Sequence, residues 1–346
     1  MRKARDERLE LRKMGITAEG AVSLGGQEQL VQNFVEALKM TFPEQSILEE
    51  TIRDHFQQHN MYWARFEKNL GNASYSYKNG QLYLSRQIDF QKLDPFVLHE
   101  MIHSLQDKQI EIDYRKLGLC TMTDFKMEGL ALNEAGIQYV VAKMLQQDRE
   151  KIDYGELSLK TRSPQYYPLL CNLLEQIVVL VGEECLVGSV LWSQSSFREN
   201  CILAFGEQAY LDIAKEMDKL LEIRNKISQD ANCQKQVTQS IQQFEKIQNK
   251  ILTSYFNKKI RNLSKVESVE DYQKQLRDFQ KYRGSQEKEQ FFEKFQQEKS
   301  QELNRRLFQI MRMQSQNTPM VTNHRIRMLW QKLRSFFMRK EETVRK

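Results

Sequence analysis

Two histidines four residues apart in an apolar stretch set the tightest limit on how this chain folds. Residues 95–105 read Pro-Phe-Val-Leu-His-Glu-Met-Ile-His-Ser-Leu. An α-helix turns about 100° per residue, so His99 and His103 share one face of it. Leu98, Met101, Ile102 and Leu105 surround them, so the helix is expected to be buried, and a buried imidazole pair needs a partner. Asp94-Pro95 supplies its start: an N-cap, then a proline where a missing N–H costs nothing. His99-Glu100-Met101-Ile102-His103 has the spacing of a zinc site. The two imidazoles can bind one ion, and the glutamate between them can reach a water held in an open coordination position. The chain has only five histidines, which makes this arrangement hard to reach by chance.

Length and composition allow one large domain or two medium ones. The 346 residues are 40% hydrophobic and 28% charged, as in a polar globular protein. No run of eighteen apolar residues reads as a membrane span; the nearest, residues 177–192, is broken by Glu183-Glu184. The first residues are charged throughout and lack the apolar segment of a secretion signal. Five cysteines, none in CxxC spacing, suit reduced thiols, and a cytoplasmic location is expected. The formal charge of +6 matches the surplus of eight Lys/Arg over two Glu between Arg325 and Lys346. Basicity therefore belongs to a tail.

The expected fold class is α+β, mostly helical. Residues 1–26 read as a charged leader ending near Gly25-Gly26. Leu30, Val31, Phe34, Val35 and Leu38 form a helical stripe, and a second helix is expected from about Glu44 to Gln58. Tyr62, Ala64 and Phe66 alternate as in a strand. Asn79-Gly80 between two β-prone runs, 73–77 and 82–84, predicts a hairpin. After the histidine helix comes another, from Met127 to Met144, then apolar helices at 169–181, 185–192, 196–206 and 210–227. Residues 27–230 thus read as one domain. From 231 to 316 the composition turns to Gln, Lys and Glu. A seam of Val237, Ile241, Phe244, Ile247, Ile251 and Tyr255 predicts long paired helices. Residues 317–346 form a basic amphipathic tail.

Three protein ligands and one open position are usual for catalytic zinc. Glu128 and Glu134 are the candidates for the third. They lie about 120° apart on one helix, so both cannot easily serve the same ion. Glu134 falls on the stripe of Leu130, Ile137 and Val141, where an acid is expensive unless paired or bound to metal. Glu128 lies near the expected helix start, where a carboxylate suits the dipole.

Over roughly residues 60 to 145 the chain resembles the thermolysin-like gluzincins, a family of zinc metallopeptidases. Residues 97–105 fit the zincin pattern, and Leu132-Asn133-Glu134-Ala135 is similar to the segment that carries the family's third ligand. Asn72-Ala73 resembles its substrate-binding edge-strand motif, and Tyr114 stands where these enzymes carry an oxyanion-stabilising tyrosine. The resemblance implies a zincin-like catalytic core, with Zn2+ on His99, His103 and Glu134. Glu100 would be the general base toward a zinc-activated water, Tyr114 the oxyanion donor, and Asn72 and Ala73 the binding site for a peptide or protein substrate. Two departures stand out. Gln138 replaces the family's Asp four residues after the glutamate ligand, where an outer partner to a histidine is expected. The additional catalytic histidine has no evident counterpart; His324, beside the basic tail, is a weak candidate.

Other features carry less. His55 and His59 are also four apart, but with Phe56 in place of the acid they read as a polar helix end. The stripe of Ile326, Leu329, Trp330, Leu333, Phe336 and Phe337 is flanked by Arg and Lys. It suits packing on the domain, an anionic membrane surface or a partner protein, and no specific nucleic acid is expected. Beside the peptidase stand two other readings: a zincin-like binding or regulatory protein of weak or no activity, working through its helical C-terminal region, and a membrane- or nucleic-acid-associated scaffold.

Overall fold

A computed structural model describes residues 11–45, 49–67, 71–111, 113–124, 126–227, 234–261, 301–302 and 305. The chain divides into two units. The first takes in residues 1–255 and 277–286 and holds the sheets and the candidate site; the second takes in 256–276 and 287–346. The basic tail, His324 and most of the expected helical region beyond 261 lie outside the described residues, whereas the seam from Val237 to Tyr255 lies within them, with Phe244, Ile247, Ile251 and Tyr255 buried.

A four-stranded sheet forms the first layer. Its strands are β1 (Ile16–Ala21), β2 (Met61–Phe66), β3 (Ala73–Ser76) and β4 (Gln81–Ser85), in the order β1-β2-β4-β3. β2 runs parallel to β4, and the other neighbours are antiparallel. β1 lies inside the stretch expected to be a leader, with Ile16 buried in register with Phe66. The hairpin β3–β4 forms around Asn79-Gly80. Gly80 has φ +66° there, a backbone conformation glycine adopts at no steric penalty.

Helix α1 (Leu24–Thr41) buries Leu30, Val31, Phe34, Val35 and Leu38. Helix α2 is described over Glu49–Gln58, and Glu44, its expected start, lies in a turn. Helix α3 (Pro95–Gln106) carries both central histidines, and Asp94 caps it by accepting from the Phe96 and Val97 amides.

Between α3 and the next helix, where no strand is expected from sequence and a helix start is expected at Met127, a second sheet forms. It is a meander of β5 (Asp107–Glu111), β6 (Tyr114–Leu117), β7 (Cys120–Thr123) and β8 (Lys126–Glu128). The next helix, α4 (Leu130–Met144), therefore begins three residues later than the sequence suggests. Glu128 lies exposed on a strand and is not at a helix N-terminus. The carboxylate at that helix start is Asp218, which accepts from the Gly129 and Ala131 amides at 2.9 and 2.8 Å.

A hairpin, β9 (Glu150–Tyr154) and β10 (Leu157–Thr161), leads into α5 (Pro168–Val181), α6 (Glu184–Trp192), α7 (Ser196–Phe205) and α8 (Glu207–Ile227). α4 is the hub, touching α1, α3, α5, α6 and α8. Leu132, Ile137, Val140 and Val141 on it are almost fully buried, and each such side chain contributes about 1.5–3 kcal/mol over an exposed one. Helix α9 (Gln234–Arg261) does not begin a separate region at 231. Its first part belongs to the first unit, where Lys246 pairs with Glu216 at 2.6 Å and Gln248 donates to Gln176 at 3.1 Å. Among the described residues no helix is long and apolar enough to cross a membrane.

Candidate metal centre

The i, i+4 spacing on α3 and the hub position of α4 bring three side chains to one point. His99 Nε2 lies 3.2 Å from Glu134 Oε2, His103 Nε2 lies 3.3 Å from Glu134 Oε1, and the two Nε2 atoms are 3.0 Å apart. Both histidines are buried, and Glu134 keeps 13% of its side chain exposed. Ligands of a tetrahedral zinc ion with Zn–N of about 2.0–2.1 Å stand roughly 3.3 Å from one another. The triangle matches that spacing, and two imidazoles with one carboxylate are a donor set zinc accepts. Among the described residues this is the group of His, Cys, Asp or Glu whose donor atoms converge in this way.

Burial works against a charged Glu134, but the adjoining His103 and His99 rings more than offset it and hold the carboxyl well below the usual range. Glu100 behaves oppositely. Desolvation pushes it up to about 7, against the pull of His99 and of the Tyr75 amide that donates to Oε2 at 2.6 Å. A carboxyl with that proton affinity can both accept and return a proton near neutral pH.

The outer partners come from three elements. Gln138, one turn along α4 from Glu134, meets His99 Nδ1 at 3.0 Å. Tyr77, in the turn after β3, meets His103 Nδ1 at 2.6 Å. Tyr114, the tyrosine singled out from sequence, opens β6 opposite Thr123, while Tyr77 is the one whose hydroxyl reaches a histidine. Period-two alternation already groups Ala73, Tyr75 and Tyr77 on one strand face; which face meets α3 is set by the packing of the sheet. Tyr167, before α5, takes φ +51°, unusual for an aromatic residue. Burial raises its hydroxyl to about 12, and Glu134 adds to the effect.

β3 is an edge strand. The Asn72 carbonyl accepts from the Ser85 amide at 2.8 Å, so it faces inward to β4. Alternate residues point the other way, so Ala73, Tyr75 and Tyr77 present their backbone groups at the free edge. Two of those groups are engaged: the Tyr75 amide with Glu100, and the Tyr77 carbonyl with Arg115 Nη1 at 2.5 Å.

α3 and α4 are clasped by buried amides. Asn133 Nδ2 donates to Gln106 Oε1 at 3.1 Å, and Asn133 Oδ1 accepts from the Leu119 amide at 3.0 Å. Gly118 sits against this pair at φ +62°; a Cβ there would come within 2.4 Å of Asn133 Oδ1. Behind α3, His55 Nε2 meets Ser104 Oγ at 2.9 Å and its ring stacks on His59. The pair expected to be a polar helix end is thus part of the packing against the histidine helix. Cys120, Cys171, Cys185 and Cys201 are free thiols.

No family model matches the chain, and no curated protein or solved structure matches it.

Proposed function

We propose that this protein is a zinc-dependent metallopeptidase of the gluzincin type, acting on peptide or protein substrates. The observation that carries the reading is Glu100. Its carboxyl follows directly on a ligand-spaced histidine, is raised to about 7, and stands beside a triangle of zinc dimensions. His99, His103 and Glu134 would hold the ion, which when bound supplies Lewis acidity and an acidified water.

The protein's own groups divide the remaining work. The Tyr75 amide holds Glu100 by Oε2, leaving Oε1 to take a proton from the attacking water and return it to the leaving nitrogen. A substrate strand lying along the β3 edge would meet the outward groups of Ala73, the nearer member of the expected Asn72-Ala73 pair. Gln138 and Tyr77 orient the two imidazoles.

A second reading draws on one observation of its own. Glu100 and Arg115 occupy the backbone groups of Tyr75 and Tyr77 that a substrate strand would use. A binding or regulatory protein keeping the centre without turnover has no need to free that edge.

One comparison separates the two. Under the first reading the zinc-loaded protein cleaves members of a peptide library, and Glu100→Gln keeps its zinc but loses cleavage by at least roughly 100-fold. Cleavage that survives Glu100→Gln refutes the mechanism. A wild type that binds zinc stoichiometrically and cleaves nothing leaves the second reading in its place.

A further inference from the structure

The groups behind the two histidines are both able to give or take a hydrogen bond. Gln138 offers an amide and Tyr77 a hydroxyl, whereas an ionised carboxylate in either place would only accept. Tyr77 is held firmly for the task. Its carbonyl accepts from Arg115 Nη1, and Arg115 pairs with Asp107 at 3.0 Å.

An imidazole with one ring proton carries it on one nitrogen and leaves a lone pair on the other. When zinc is bound, both Nε2 lone pairs must face the ion, so each Nδ1 carries the proton and donates outward. The acceptors are then the Tyr77 oxygen and, with the amide turned over, the Gln138 carbonyl oxygen. When zinc is not bound, each Nε2 instead needs a proton to donate to Glu134, which lies 3.2 and 3.3 Å away. Each Nδ1 then accepts, from the Tyr77 O–H and the Gln138 N–H. A carboxylate at position 138 suits the first arrangement and sets a lone pair against an anion in the second.

We infer that Tyr77 and Gln138 are positioning residues that let the centre hold either proton arrangement, so that each histidine Nδ1 keeps a partner whether zinc is bound or not. The metal is exchangeable by construction, and occupancy follows the zinc supply. This inference rests on the assignment of His99, His103 and Glu134 as a zinc site and is independent of whether peptides are cleaved.

Zinc affinity is the first readout, measured on the full chain by competition with a chromogenic chelator. Gln138→Glu should bind zinc roughly 10-fold more tightly, and Tyr77→Phe roughly 10- to 100-fold more weakly. Gln138→Glu should also melt below wild type without zinc and above it in saturating zinc. A Tyr77→Phe affinity within about twofold of wild type, or a Gln138→Glu protein stabilised in both conditions, overturns the inference.

The second readout needs only the wild type. Long-range proton–nitrogen NMR of the imidazoles should find the His99 and His103 ring protons on Nε2 without zinc and on Nδ1 with it. The same tautomer in both conditions overturns the inference even if Tyr77→Phe does not fold. Zinc affinities and tautomers that behave as expected in a protein that cleaves nothing would reject the peptidase and keep the exchangeable site. A wild type that binds no zinc rejects both.

Discussion

The amide clasp between α3 and α4 can be tested by removing it one side at a time. Asn133 and Gln106 are 1% and 0% exposed, so water does not replace a lost partner. Asn133→Leu keeps the volume and deletes two hydrogen bonds, to the Leu119 amide and to Gln106 Oε1. Each orphaned buried group costs about 1–3 kcal/mol, and the Leu119 amide, only partly buried, falls at the low end. The expected loss is about 3 kcal/mol. For a folded unit of about 250 residues, 1 kcal/mol lowers the melting temperature by about 2–4 °C, so the variant should melt about 6–12 °C early. Gln106→Met orphans Asn133 Nδ2 but also removes Gln106 Nε2, a buried amide nitrogen without a partner, so it should lose less, about 1 kcal/mol or under. The double variant replaces both amides by apolar groups and should recover about 1–2 kcal/mol relative to the sum. Calorimetric or fluorescence melting of the four proteins, with zinc removed by chelator, gives the cycle. Additivity within about 0.5 kcal/mol, or a melting shift below about 2 °C in Asn133→Leu, would refute the clasp as the contact that sets the two helices in register.

Three further outcomes follow from other contacts. Burial, then the neighbouring His59, lowers His55 to about 4 from an ordinary 6.5. Its contribution to stability is therefore fully present above pH 6.5 and is lost as pH falls toward 4. At about 1.4 kcal/mol per pH unit the ceiling is about 3 kcal/mol, and partial exposure reduces it to about 1–2 kcal/mol; unfolding free energies from urea titrations at pH 7 and 4.5 should converge in His55→Gln by that amount. Asp218→Ala removes the acceptor for the Gly129 and Ala131 amides and should cost about 1–2 kcal/mol, with faster amide exchange confined to the start of α4. Glu175, 1% exposed, pairs with Arg149 at 2.9 Å and accepts from the Arg162 amide. Glu175→Ala should cost about 3–5 kcal/mol by denaturant titration, and a loss below 1 kcal/mol would make that pair dispensable.

The regularities with a short period were legible. The stripe of α1, the cap and proline of α3, and the turn at Asn79-Gly80 each follow from interactions within a few residues. The short strands of residues 107–128 were not legible, because Lys108, Gln109 and Lys126 interrupt any clean alternation. Those strands hold together through pairing with one another in a meander. The same blind spot moved the start of α4 and gave Glu128 a helix it does not belong to. It also hid β1, whose apolar anchor Ile16 has no apolar alternation around it and is buried against Leu11 and, from distant segments, Ala64 of β2 and Tyr83 of β4.

By itself the sequence determined that His99, Glu100 and His103 share a helix and that Glu134 lies on a buried stripe, since helical periodicity acts over four residues. Tertiary structure decided which groups meet. Glu134 reaches the histidines because Asn133 and Gln106 bind α4 to α3 across 27 positions of chain. Tyr77, and not Tyr114, reaches His103 because the β3–β4 hairpin packs its edge against α3. Contacts between distant segments depend on how whole sheets and helices stack, and no local pattern in a chain encodes that sum.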